Sequence, residues 1–287
     1  MLLNSITFHA PRELSEAAKI YQELASEVKI LAGGTFLLNS LKLLKRKGTK
    51  TPPHILTLRK IEALKGIEAD NKQLTIRSMT IINELFESAH LTDNFRVLRT
   101  VCRNISTNPI RNMATVGGNL TCRYTWTEMG AVMIAMDAQM HFYGPEGKMA
   151  TISAEEFFKN AARSDKILTH ITVPRDKTAS IAYRRVRKTL HVDVPLLAVC
   201  VKTNFNKLQW TNTRVTLNTG VQFAQRDYKL EEFLNQARCH PQLAQEALDH
   251  MDRAIYDTRS TDFKKHMFAV SIQSAIGELV NQQLGKK

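Results

Sequence analysis

The stretch NPIRNMATVGGNL, residues 108–120, carries a Gly-Gly pair flanked by Thr115 and Asn119. Paired glycines reach positive φ and present no Cβ, so backbone N–H groups beside them can close on an oxyanion. Thr115 and Asn119 add polar side chains able to grip a hydroxylated chain. Arg111 suits either of two tasks, binding phosphate or bracing the loop by donating to carbonyls, and bracing is the favoured one. A second Gly-Gly lies upstream in Leu31-Ala32-Gly33-Gly34-Thr35, between the strand-like VKILA (28–32) and a helix running from Phe36 to about Leu44. There a helix N-terminus adds its dipole and its unpaired donors, and Thr35 adds a hydroxyl. Taken alone, this first loop is better explained as a tight strand-to-helix turn. Two phosphate-type loops in one domain suit a ligand with a pyrophosphate in its middle.

Outward from these loops the pattern is mixed. Leu14, Ala17, Ala18, Tyr21 and Leu24 recur at helical spacing, HILTL (54–58) and QLTIRSM (73–79) read as strands, and 80–88 and 94–104 read as helices. A Pro-containing loop precedes Gly117. Residues 128–136 form a short apolar helix leading into the strand QMHFY (139–143). Ser153 caps the helix AEEFFKNAA, and ILTHITVP (167–174) closes this half. After Pro174 come three strands, IAYRRVRK, LLAVCVKTN and LQWTNTRVTLNT, and then a helical block. The class is α+β, with a boundary expected near residue 175.

The chain has 287 residues, 43% of them hydrophobic and 23% charged, which excludes a disordered tail protein. No stretch free of Asp, Glu, Lys and Arg exceeds twelve residues, as in Ile30 to Leu41, short of the roughly 18–20 that span a bilayer. The opening MLLNSITFHAPRE lacks the marks of a secretory signal. Cys102, Cys122, Cys200 and Cys239 are scattered without a CxxC pair, so thiols in a reducing cytoplasm are expected, and no zinc or iron–sulfur site of the chain's own. Dinucleotide GxGxxG, P-loop, HExxH and GxSxG motifs are absent. The formal net charge is +13, and the segments 28–61 and 94–127 contain no acid. Such an excess fits an anionic partner. The bases form no aromatic-interleaved stripe, so a nucleic-acid-binding module is the weakest reading.

The loops LAGGT and IRNMATVGGNL, with the DxP region at Asp193 to Pro195, resemble the FAD-binding medium subunit of the molybdenum hydroxylases, the family of xanthine dehydrogenase and carbon monoxide dehydrogenase. The resemblance runs from about residue 4 to residue 283. It implies an FAD-binding domain of the vanillyl-alcohol-oxidase (PCMH) type over 1–175, with subdomains of about 1–55 and 56–175. A C-terminal domain of the carbon monoxide dehydrogenase flavoprotein type follows over 176–287, with a three-stranded antiparallel sheet and a helical bundle. It further implies that the amides of Ala32, Gly33, Gly34 and Thr35 hold the FAD pyrophosphate, with Ile30, Leu31, Phe36 and Leu37 beside them. Ile110, Ala114, Thr115, Gly117, Gly118, Asn119, Thr121 and Cys122 come from the second loop. Ile167 and Leu168 pack on the flavin or adenine, while Glu128 and Arg185 complete the ring end. The chain departs from the family pattern in having Phe36 where an acid is usual, Glu128 for Asp, Arg185 for Lys, and the aromatics Tyr124 and Trp126 for small residues.

The function implied is electron transfer. Substrate is oxidised at a molybdenum cofactor on a large subunit, and electrons pass through [2Fe–2S] clusters on a small subunit to the FAD of this chain. They then leave to NAD or another acceptor. No catalytic residue and no metal ligand is expected from this chain, nor any insertion into a membrane. The alternative is a self-contained FAD-dependent reductase of the same flavin-domain type.

Overall fold

In the computed structural model the described residues are 5–122, 127–159, 165–189, 194–218, 223–257 and 261–285. Tyr124, Trp126 and Asp193 lie outside them. The chain opens with β1 (Thr7–His9), α1 (Leu14–Leu24), β2 (Val28–Leu31), α2 (Leu37–Arg46) and β3 (His54–Thr57). The three strands form a parallel sheet in the order β1-β3-β2. Parallel neighbours require crossover connections, and α1 and α2 supply them. The apolar repeat expected of α1 is met, since Ala17, Ala18 and Tyr21 are its buried face.

Next come β4 (Ile67–Ala69), β5 (Gln73–Arg77), α3 (Ile82–Glu87), α4 (Arg96–Asn104), α5 (Asn108–Arg111), α6 (Val116–Thr121), α7 (Glu128–Ala135), β6 (Gln139–Tyr143), β7 (Met149–Ser153), α8 (Ala154–Lys159) and β8 (Ile167–Pro174). The strands make a five-stranded antiparallel sheet, β4-β5-β8-β6-β7. Burial alternates along β5 and β6, as the two-residue period of a strand requires. Every residue of α7 is buried, which explains why its sequence is apolar all round.

The last part is β9 (Ser180–Val186), β10 (Leu197–Asn206), β11 (Gln209–Asn218), β12 (Gln225–Arg226), α9 (Tyr228–Gln236), α10 (Leu243–Glu246), α11 (Arg253–Asp257) and α12 (Asp262–Leu284). One face of this antiparallel sheet packs Val199, Val201, Trp210, Val215 and Leu217 against Phe268, Ile272, Ala275, Ile276 and Leu279 of α12. The other face lies on α7.

Several sequence expectations need correction. The C-terminal sheet has four strands, β12-β11-β10-β9, not three. The fourth, β12, is two residues long and shows no periodicity, and it exists because Thr216 and Leu217 pair with Arg226 and Gln225. Strands β1, β4 and β7 were likewise not foreseen, the first two being three residues each. The helix expected from Thr80 starts at Ile82, because the Thr80 hydroxyl is committed to the Gly66 carbonyl (2.8 Å). The Pro-containing loop is in fact wound into α5 and α6. Ser153 caps α8 as expected, its Oγ accepting from Glu156 N at 3.1 Å.

Candidate functional site: two interlocked glycine loops

Strand β2 ends where Leu31 O accepts from Leu58 N (3.2 Å), and the chain turns through Ala32–Thr35 into α2. Gly34 takes φ +74°, which an L side chain adopts only with strain. Asn39 Nδ2 donates to Thr35 O at 3.2 Å and Leu38 N to Gly34 O at 3.3 Å, fixing the turn from behind. Among the described residues, the N–H groups of Ala32, Gly33, Gly34 and Thr35 donate to no protein acceptor. Four consecutive free amides before a helix of ten residues make a concentrated set of donors at the positive end of its dipole. Ile30 to Leu37 are all half-buried, so the loop is surfaced but supported.

The second loop lies against the first. A Cβ built on Gly33 would stand 2.1 Å from Met113 O and 2.8 Å from Ala114 Cα, and one on Gly118 would stand 3.4 Å from Ala32 Cβ. The glycines are therefore the contact between the loops. Behind it, residues 114–117 run beside residues 78–82: Ile82 N donates to Ala114 O (2.9 Å), Val116 N to Thr80 O (2.9 Å) and Gly117 N to Ser78 O (2.8 Å). Gly117 is needed there, since its Cβ would meet Ser78 Cβ and O at 2.7 Å. Thr115 is buried and its hydroxyl caps α6 by accepting from Gly118 N (3.1 Å). Thr121 Oγ1 donates to Gly117 O (2.7 Å) and Cys122 Sγ to Asn119 O (2.9 Å). Asn119 differs from these: its side-chain Oδ1 is buried without a hydrogen-bond partner.

Arg111 is a brace. It donates from Nε to Asn83 Oδ1 (3.0 Å) and from Nη1 to the carbonyls of Arg103, Ile105 and Ser106 at 3.2–3.4 Å. Asn83 itself donates to Asn108 Oδ1 and Asn112 Oδ1, each at 2.6 Å. No sequence pattern points to Asn83, whose partners Asn108, Arg111 and Asn112 are 25, 28 and 29 residues away.

The remaining expected residues divide. Ile110 is half-buried against the central core. Ile167 and Leu168 are 1% and 6% exposed, enclosed in two protein cores. Their side chains are thus packed among protein neighbours. Glu128 and Arg185 meet each other: Arg185 Nε donates to Glu128 Oε1 at 2.7 Å, with side-chain exposures of 8% and 3%. Tyr183, unforeseen in the sequence, donates its hydroxyl to Glu128 Oε2. Burial and the adjacent carboxylate push the Tyr183 phenol well above its usual pKa, so it stays a neutral donor. The pair is tied to the second loop through Thr127, whose hydroxyl lies 3.7 Å from Cys122 Sγ. Among the described residues no cluster of three or more His, Cys, Asp or Glu could hold a metal, and no helix is long and apolar enough to cross a membrane.

The donor set has a definite chemistry. Free amides at a helix start suit phosphate oxygens. A buried carbonyl oxygen at Asn119 needs a donor, which a sugar or ribityl hydroxyl provides and a phosphate does not. A ligand with both, such as FAD, fits these residues.

Comparison with known proteins agrees. Residues 4–176 match the family described as the FAD binding domain in molybdopterin dehydrogenase. The carbon monoxide dehydrogenase medium chain of Hydrogenophaga pseudoflava is 29% identical over 171 residues, 58% of each chain. The xanthine dehydrogenase FAD-binding subunit of Escherichia coli O157:H7 is 27% identical over 142 residues, 49% of this chain and 47% of that one. Both alignments span less than two thirds of the relative's length. Among solved structures, carbon monoxide dehydrogenase from H. pseudoflava lacking the Mo-pyranopterin moiety of its cofactor superposes with a TM-score of 0.88 at 24% identity, covering 96% of this chain and 97% of that one. At that identity it establishes the fold, which is the α+β FAD-binding PCMH type. The chain thus belongs to the family of FAD-binding domains of the molybdopterin dehydrogenases, with FAD as its cofactor.

Proposed function

We propose that the chain is the electron-transfer flavin subunit of a molybdenum-containing hydroxylase or dehydrogenase. In this reading it takes electrons from [2Fe–2S] clusters on a small partner subunit, downstream of a large molybdenum-cofactor subunit, and hands them to NAD or another acceptor. The observation that carries it is the interlock of the two loops, with four free amides on one and the unpartnered Asn119 oxygen on the other. A flavin domain over 1–175 and a C-terminal domain over 176–287 are part of the reading, supported by the core around Trp210, whose residues all come from the C-terminal part.

FAD, when bound, supplies the redox couple. The chain's residues hold it. The amides of Ala32 to Thr35 bind the pyrophosphate without importing a mobile side chain, so little ordering entropy is lost on binding. Gly33 lets Met113 and Ala114 press against that turn, and Arg111 and Asn83 keep them there. Asn119 offers its oxygen to a ligand hydroxyl. In this reading Arg185 stands beside the isoalloxazine, where a positive charge favours the electron-rich reduced ring. Glu128 fixes that guanidinium through Nε.

The test is direct. Purified full-length protein should be yellow, and its extracted flavin should be FAD near one per chain. A colourless chain that takes up neither FAD nor FMN on reconstitution would refute the reading. Recovery of the chain from its host with both partner subunits tests the assembly.

A further inference from the structure

The C-terminal sheet grips α7 in an ordered way. Successive outward residues of β11, Arg214, Thr216 and Asn218, donate to the carbonyls of Ile134, Ala131 and Thr127. The strand's two-residue period is thereby matched to steps of three and four along one side of the helix. In the adjacent strands, Tyr183 and Arg185 stand in the same two rows of the sheet: Cys200 pairs with both Tyr183 and Thr216, and Ala198 with both Arg185 and Asn218. The first residue of α7, Glu128, is thus delivered to Tyr183 and Arg185 together. Neither end of α7 is free to shift, because Asn218 fixes its start and Arg214 its end, the latter also by an ion pair to Asp137 at 3.0 Å.

We propose that Tyr183 is a positioning residue for the potential of the bound flavin, acting through Glu128 on Arg185. The inference rests on the flavin-subunit reading, in which Arg185 stands beside the ring. Glutamate has one more rotatable bond than aspartate, so the side chain has more rotamer freedom for its partners to restrict. The Tyr183 hydroxyl on Oε2 removes it and leaves Oε1 for Arg185 Nε. It also disperses part of the carboxylate's negative charge, so that the guanidinium is less fully cancelled where the flavin gains electrons. Sequence position alone hides this arrangement, since the residues are 55 and 57 apart from Glu128.

Tyr183→Phe deletes the hydroxyl and keeps the ring. In the full chain with its FAD, it should leave flavin content unchanged and shift the reduced-to-oxidised ratio about tenfold toward oxidised at fixed potential, about 30 mV for a two-electron couple. The negative sign follows from the less compensated carboxylate. A role confined to packing would lower thermal stability and leave the potential alone, which would overturn the inference. The double variant Tyr183→Phe/Glu128→Gln supplies a second check that avoids stranding a buried carboxylate. Its potential should equal that of Glu128→Gln alone, and a further drop would show that Tyr183 does not act through Glu128. Arg185→Ala separates the levels: if it leaves the potential unmoved, the placement of Arg185 fails and the inference with it. If it lowers the potential while Tyr183→Phe does not, only the role of Tyr183 falls.

Discussion

Gly33→Ala is the smallest change that tests the interlock. The added Cβ lands 2.1 Å from Met113 O and 2.8 Å from Ala114 Cα, whereas ordinary contact begins at 3.4 Å, so the loops must part by roughly 1.3 Å at that point. Both opposing atoms are backbone, and Met113 and Ala114 are held by Ile110 O, to which their amides donate at 3.0 and 2.8 Å. No side-chain rotation relieves the clash, which puts the cost near the upper end of overpacking, about 3 kcal/mol. If it falls on the bound state, FAD affinity drops by about 100-fold. Gly34→Ala is the control. Its Cβ comes within 3.1 Å of Leu31 Cδ1, the tip of a flexible side chain, and within ordinary contact of Leu38, while φ +74° costs about 1–2 kcal/mol. Reconstitution of stripped protein with FAD, followed by flavin fluorescence, gives both dissociation constants, and circular dichroism monitors the fold. The order expected is wild type, Gly34→Ala, then Gly33→Ala with the weakest binding. Wild-type affinity in Gly33→Ala would refute the interlock as the basis of the site.

Other residues give sharper readings of single contributions. Arg111→Lys should behave like Arg111→Ala, lowering the melting temperature and weakening FAD, because a single ammonium cannot serve Asn83 and three carbonyls at once; recovery in the lysine variant would count against the brace. Asn119→Ala should weaken FAD binding about tenfold while leaving the flavin-free protein as stable as before, since the oxygen removed has no protein partner to lose. In acid, stability should fall in two windows, followed by melting at graded pH. His170 is held down to about 4 by burial, then by the positive charge of neighbouring His141 and Arg77, so stability is lost between ~6.5 and about 4 as the unfolded imidazole takes up its proton first. Glu155 and Asp176 are partly buried, which raises them, but their hydrogen bonds and neighbouring cations outweigh that and hold both at about 2; their stabilisation, full above ~4.5, is lost between there and about 2. A melting temperature flat from pH 6.5 to 4.5 in wild type, or a slope undiminished in His170→Gln, would contradict the first window.

What was legible in the sequence follows from how the information is carried. The glycine loops are contiguous, and the function proposed for them falls to backbone amides, so a short string such as LAGGT or ATVGGN holds nearly all of it. Helix α1 and strands β5 and β6 were legible because burial imprints a period on the side chains. The meeting of Glu128 with Tyr183 and Arg185, or of Asn83 with Asn108 and Asn112, has no such imprint: it depends on how a sheet docks on a helix. Ile167 and Leu168 show the converse. The resemblance pairs them with the flavin or adenine, while their side chains sit in the protein cores, which an apolar residue at a strand end does not announce. Strand β12 shows the limit of pattern, since two residues exist as a strand only by virtue of β11.

The position of α7 ties these observations together. Its first turn follows closely on the second glycine loop, and every residue along it is buried. Its carbonyls at 127, 131 and 134 receive hydrogen bonds from Asn218, Thr216 and Arg214 of the C-terminal sheet. A buried helix offers few polar groups to hold on to, so the sheet takes the backbone oxygens on one side and the single carboxylate at the start. A neighbouring side of the helix packs with Phe158, close enough that a Cβ on Gly130 would fall 2.8 Å from its ring. The C-terminal sheet therefore sets where α7 sits, and α7 sets where the second glycine loop ends and where the Glu128–Arg185 pair stands. The two glycine loops lie in the first 122 positions, while Tyr183 and Arg185, which meet Glu128, come from the strand beginning at Ser180. A chain cut after β8 would keep both loops but lose Arg185, and it would expose the apolar surface of α7. In the flavin-subunit reading proposed above, the C-terminal part is then a component of the flavin site, not an appendage to it.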